Sequence, residues 1–161
     1  MVIISDTSPI VNLAAIGKLD LIPALFEKVY LPVAVFEEIV VKGANQPGAA
    51  EIQNASWIEI KSCTDQNLLQ KLLLELDPGE SEAIALAIEM DSPNILMDEK
   101  DGREVALRYN LKPIGLLGIL LEAKKSGLLS SVRQCMDDLK NSAGFYIAEP
   151  LYRQVLILAA E

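Results

Sequence analysis

The chain has 161 residues, 51% of them hydrophobic, with a formal net charge of −9 and no histidine. That length and apolar content are enough to bury about two-thirds of the unfolded surface around one core, which excludes a disordered chain. The missing histidine excludes Ser-His and Cys-His nucleophiles, imidazole zinc sites and the zinc deaminase site, while the acidity disfavours generic polyanion binding.

Val2-Ile3-Ile4-Ser5 is a short apolar run and predicts a buried strand ending at Asp6. Thr7 or Ser8 suits a helix cap, Pro9 a first turn, and Gly17 a helix end. A short helical piece is expected over 19–25, then a strand at Val29-Tyr30-Leu31 and a helix from Pro32 through Val41, broken at Asn45 to Gly48. Trp57-Ile58-Glu59-Ile60 alternates in polarity, as an exposed or edge strand does. Leu68, Leu69, Leu72, Leu73 and Leu76 form a helical stripe, Asp77-Pro78-Gly79 punctuates it, and a new helix runs from Glu80 through Met90.

Asn94 to Met97 predicts a further strand, ending at Asp98. A helix follows over 103–109, a very short strand at Pro113-Ile114, and helices over 116–125, ended near Gly127, and 132–139. A short segment at 145–148 and a last helix over 151–160 complete the order. Strands separated by helices imply parallel pairing through helical crossovers. The expected architecture is a three-layer α/β/α domain over 1–161 with a mostly parallel central sheet. No run reaches the roughly 20 apolar residues of a membrane span, and the start lacks a leader's basic and apolar segments. Cys63 and Cys135 stand alone, as reduced thiols of a cytoplasmic protein would.

Acidic residues recur where such a sheet would gather them. Asp6 and Asp98 each follow a strand, and groups beyond the carboxyl ends of parallel strands meet in one crevice. Glu38 lies on the helix after Pro32, with Glu37 as its neighbouring alternative; Glu80 and Glu82 open the central helix; Glu99 and Asp101 adjoin Asp98. Carboxylates brought together repel one another and resist desolvation, so a divalent cation is the natural compensation. Oxygen donors suit Mg2+ or Mn2+, which activate water and stabilise charge at a phosphate.

Each acid also has an ordinary structural role to weigh. Asp6 and Asp98 can serve turns or caps, Glu38 a solvated helix face, and Glu80 and Glu82 a helix start. Thr7, Ser8 and Asn12 are supporting candidates beside Asp6, with capping or a surface amide as the alternative. Arg103 is a candidate phosphate contact or an ion-pair partner of Asp101 or Glu99. Gly115 and Gly118 lack the context of a dinucleotide motif and suit close packing or a helix start. Lys124, Lys125, Arg133 and Lys140 give modest basic surface without a continuous groove.

Five stretches carry a family likeness: Ile3-Ile4-Ser5-Asp6-Thr7-Ser8-Pro9; the Pro32 to Val41 helix with Glu38-Ile39; Leu76-Asp77-Pro78-Gly79-Glu80-Ser81-Glu82-Ala83-Ile84; Leu96-Met97-Asp98-Glu99-Lys100-Asp101-Gly102-Arg103; and Ile114 through Lys125. Together they resemble the PIN-domain family, specifically VapC-like predicted nucleic-acid-binding proteins of bacteria and archaea. The resemblance implies an α/β/α fold, an acid cluster binding Mg2+ or Mn2+, hydrolysis of RNA phosphodiester bonds, a toxin role beside an antitoxin protein, and a homodimer. It matches Asp6 to the first-strand acid and Glu38 to the following helix acid. Glu82 or Glu80, with Glu82 favoured, matches the central-helix acid; Asp98 or Glu99 matches the late strand-end acid, with Asp101 on the same rim. Many active relatives carry aspartate at the last two positions, where glutamate is a candidate here, and the longer side chain changes metal reach.

The expected function is a metal-dependent endoribonuclease in which Asp6, Glu38, Asp98 and Glu82 act on RNA. The alternative is a noncatalytic PIN-like module that binds nucleic acid or protein, or a purely structural domain whose acids are solvated helix ends.

Overall fold

The computed structural model describes residues 2–161. Five parallel strands form one sheet in the order β3-β2-β1-β4-β5. They are β1 (Val2–Ser5), β2 (Lys28–Pro32), β3 (Ile58–Lys61), β4 (Asn94–Leu96) and β5 (Lys112–Ile114). Helices connect them, because a parallel neighbour is reached only by crossing back over the sheet. Between β1 and β2 lie α1 (Thr7–Ala15) and α2 (Leu21–Leu25). After β2 comes α3 (Val33–Phe36), continued by a π-helical stretch (Glu37–Lys42), then α4 (Ala49–Gln53). The connection from β3 to β4 carries α5 (Gln66–Leu73) and α6 (Pro78–Glu89), and α7 (Lys100–Arg108) leads to β5. The chain continues through α8 (Leu116–Lys125), α9 (Val132–Ser142) and α10 (Glu149–Leu158).

The period of two along each strand divides the core between the two sheet faces. Ile3, Val29, Leu31 and Leu96 point to one face and pack with α1, α2, α8, α9 and α10. Ile4, Ile95 and Met97 point to the other, against α5, α6 and α7. Helices on both faces make the three layers expected from the sequence. The center of the second face is α6, where Ala83, Ile84, Ala85, Leu86 and Ala87 are all fully buried. Small residues there let the helix lie close to the sheet.

Several boundaries differ from expectation. The Pro32 helix changes to π-helical hydrogen bonding from Glu37 onward, a wider turn that periodicity does not reveal and that often marks functional sites. The helix after β4 begins at Lys100, before Arg103, which makes Glu99 its N-cap and places Asp101 in its first turn. Residues 145–148 form no helix or strand. Among the described residues, no helix is long and apolar enough to cross a membrane.

The strand order places a topological switch point between β1 and β4. From β1 the chain builds outward through β2 and β3, then returns to add β4 and β5 on the opposite side. Ligand crevices in open parallel sheets lie at this point, beyond the carboxyl ends of the strands. Asp6 follows β1 there and Asp98 stands two residues past β4.

Candidate metal centre

The backbone ladder holds both strand-end acids in register. Ser5 pairs with Leu96 across the β1–β4 boundary, and the Asp6 amide donates to the Leu96 carbonyl at 2.9 Å. One residue short of Asp98, the Met97 amide donates to the Ile114 carbonyl of β5 at 3.0 Å. Neither carboxylate therefore depends on a mobile loop for its position.

Asp6 is 4% exposed and is the N-cap of α1, yet its side chain makes no capping hydrogen bond to that helix. Burial raises its pKa from 3.8 to about 7; the Thr7 amide opposes the shift, while Glu80, Asp77 and Glu38 add to it. Glu38 enters from the π-helical stretch, where it is half-buried beside an exposed Glu37. The Thr7 hydroxyl donates to Glu38 Oε2 at 2.5 Å and so ties this carboxylate to the start of α1. The same carboxylate lies over Gly79 so closely that a Cβ there would be 2.8 Å from Oε1 and 3.0 Å from Oε2. Glycine at this position makes room for an acid.

Glu80 is the central-helix acid in the crevice. Its amide donates to Asp77 Oδ1 at 2.8 Å, which caps α6. The residue is 8% exposed, and its Cδ would be 3.6 Å from a Cβ at Gly102 of α7. Desolvation raises its pKa from 4.5 to about 7, with Asp77, Glu99 and Asp101 contributing further repulsion. Glu82, favoured over Glu80 from the sequence, faces elsewhere: its Oε1 accepts from the Ala34 amide at 3.2 Å at the start of α3. Two turns on, Glu89 accepts from the Thr64 and Asp65 amides at 2.7 and 2.6 Å. On that side of α6 the carboxylates of Glu82 and Glu89 accept from neighbouring backbone amides. Replacing Glu82 with alanine is expected to lower stability by about 1 kcal/mol, the usual scale for a lost cap. Thermal unfolding measures that loss, and cleavage assays of the same variant should match the wild type.

Asp98 supplies the second strand-end carboxylate. Oδ1 accepts from the Leu116 amide at 2.7 Å, joining β4 to the start of α8. Oδ2 is buried without a hydrogen-bond partner. Burial lifts the pKa from 3.8 to about 6; the Leu116 amide and Arg103 lower it, and Glu99 raises it. Arg103 Nη1 donates to the Met97 carbonyl at 3.0 Å, so the guanidinium is held beside Asp98 and makes neither expected ion pair, with Glu99 or with Asp101. Gly115 permits the approach, since a Cβ there would lie 2.9 Å from Arg103 Nη1 and 3.0 Å from Asp98 Oδ1.

The remaining candidates lie on the rim. Glu99 and Asp101 are exposed, close enough to Glu80 to raise its pKa. Ser8 Oγ accepts from Asn12 Nδ2 at 3.0 Å, a pairing one turn apart within α1. Asp77, read from the sequence only as punctuation, adds charge to the crevice through its effect on Asp6 and Glu80.

Asp6, Glu38, Glu80 and Asp98 offer an all-oxygen donor set, as Mg2+ and Mn2+ prefer. The partnerless Asp98 Oδ2 and the buried Asp6 carboxyl fit a cation, because a buried anionic oxygen otherwise remains uncompensated. As placed, no three Asp, Glu or Cys side chains among the described residues stand close enough to hold one ion.

Raised acid pKa values carry a stability consequence. The folded state favours the protonated forms, so the stabilisation is complete below about pH 4 and is lost as pH rises through 6–7. In chelator, stability should fall from pH 5 to pH 8 by on the order of 2 kcal/mol, or roughly 4–8 °C in Tm. Differential scanning calorimetry at the two pH values checks this. A higher Tm at pH 8 would contradict the assigned shifts.

A protein-family model described as a PIN domain matches residues 2–161. No curated protein matches the chain. Since the matched region covers all five strands and the acids at their carboxyl ends, the chain belongs to the PIN-domain family.

Proposed function

We propose that this PIN domain is a divalent-metal-dependent endoribonuclease that hydrolyses phosphodiester bonds of single-stranded or looped RNA. The observation that carries the reading is that buried Asp6 and Glu80, half-buried Glu38 and the orphaned Asp98 oxygen all belong to elements that start or end at the carboxyl edge of β1 and β4, the sheet's switch point. Asp6, Asp98 and Glu80 are assigned as the residues that hold Mg2+ or Mn2+, with Glu38 completing the set from the side of Thr7. The ion would lower the pKa of water and offset charge on the phosphate. Asp6 and Asp98 are suited to this because strand-end backbone bonds fix their positions. Thr7 orients Glu38 through its hydroxyl, and Arg103 places a cation beside Asp98, where an anionic phosphate would approach. Glu99 and Asp101 serve as outer acids. No covalent intermediate on the protein is required.

The VapC-like likeness extends the reading to the toxin of a toxin–antitoxin pair, acting in the cytoplasm as a homodimer restrained by an antitoxin protein. Purified protein incubated with RNA and Mg2+ or Mn2+, against the same mixture in chelator, tests the core of the reading. Metal-dependent product formation supports it; intact RNA in every condition counts against it. The alternative, a noncatalytic nucleic-acid-binding or protein-interaction module, is favoured by the separation of the acids as placed. It predicts RNA or protein association without hydrolysis.

A further inference from the structure

The crevice continues past Asp98 into a groove of about 620 Å³, within the roughly 300–1,000 Å³ span of small-ligand clefts. Its lining includes Asp98, Arg103, Gly115, Leu116, Phe145 and Tyr146. Phe145 is partly buried against the core and its amide donates to the Leu139 carbonyl at 2.9 Å, which anchors the segment between α9 and α10. Tyr146 is 85% exposed, the second-highest exposure among the large hydrophobic side chains, after Leu74 at 86%. An aromatic ring left in water beside an acidic crevice and an arginine has the makeup of a stacking platform.

We propose that Tyr146 stacks an unpaired RNA base in this groove, next to a phosphate contacted by Arg103. The inference rests on the ribonuclease reading for its substrate but not for its contact. Charge arithmetic favours it. With 14 Lys and Arg against 23 Asp and Glu, the chain has little to gain from phosphate contacts alone, so a neutral contact to the base has to supply affinity. Stacking does this for any base, because every base presents a π-face. Arg103 gives one donor to the Met97 carbonyl, and a guanidinium carries five, so the same side chain can also meet the adjoining phosphate. Binding of this kind has a shallow salt dependence, with a log–log slope near −0.7 for one phosphate contact on a single strand.

The test compares a fluorescein-labelled uridine octamer with an octamer of the same length that lacks bases, measured by anisotropy in chelator so that the RNA stays intact. Wild-type protein should bind the base-bearing strand about 5- to 100-fold more tightly. Tyr146→Ala should lose most of that preference, and Tyr146→Phe and Tyr146→Trp should keep it. Equal binding of both strands by the wild type, or an unchanged preference in Tyr146→Ala, overturns the proposal. The two readings fail separately. A Tyr146-dependent base preference without metal-dependent cleavage would sink the nuclease reading and sustain the subsite. Cleavage with an unaltered preference in Tyr146→Ala would do the reverse.

Discussion

Replacing Asp6 with asparagine should reduce metal-dependent RNA cleavage by about 100- to 1,000-fold, the scale for removing one preorganised electrostatic group from an active site. The same change should raise the Tm of the metal-free protein at pH 8 by a few degrees. Asparagine preserves the shape and an acceptor oxygen but removes a charge from a site that is 4% exposed and repelled by Glu80, Asp77 and Glu38. Relief of roughly 1 kcal/mol corresponds to about 2–4 °C at this chain length. Opposite signs for activity and stability distinguish a functional acid from a helix cap, whose loss would lower both. Cleavage assays and thermal scans of one purified variant measure the pair. Wild-type cleavage, or a fall in Tm, would contradict the placement of Asp6 as a ligand.

Gly79→Ala should have a similarly large but less direct effect. Alanine is favoured over glycine inside a helix by about 0.5–1 kcal/mol, and position 79 lies in the first turn of α6, so stability should hold or rise slightly. The added methyl group would meet the Glu38 carboxylate at 2.8 and 3.0 Å. The flexible end of that side chain must then move away from Thr7. Loss of an oriented carboxylate typically weakens a metal site about 10- to 100-fold, and cleavage at low Mg2+ should fall by that factor. Raising the Mg2+ concentration should restore part of the activity, which a general folding defect would not allow. Activity measured against Mg2+ concentration for the variant and the wild type provides the check.

The positions of Asp6 and Asp98 were legible because each closes a short apolar run, and a parallel sheet brings such ends together. Glu38 was harder to separate from Glu37. The structure distinguishes them through a π-helical turn, which has no proline or glycine signature in Glu37-Glu38-Ile39-Val40-Val41-Lys42. Pattern puts Glu82 slightly ahead of Glu80 through the Ala83-Ile84-Ala85 that follows, whereas Glu80 is the more buried of the two. The helix they open is buried on nearly every side, so neither shares a solvent face that the other lacks. What separates them is the tertiary position of Ala34 on one side and Gly102 on the other. Tyr146 was invisible as a functional candidate, since its segment has neither helical nor strand periodicity and meets Asp98 only through the fold.

The sequence-level resemblance and the geometry support different parts of the account. Family membership explains the α/β/α layers and leads one to expect acids near the strand ends. The individual chemistry comes from local facts: an aspartate oxygen buried without a partner, a glycine making room for a glutamate, and a threonine holding it.

Calorimetric titration of the chelator-treated protein with Mn2+ at pH 7.5 bears most directly on the claim that these carboxylates gather around a cation. Saturable binding that weakens at least about tenfold in both Asp6→Asn and Asp98→Asn is the expected result. Binding absent from the wild type, or equally strong in both variants, would contradict it.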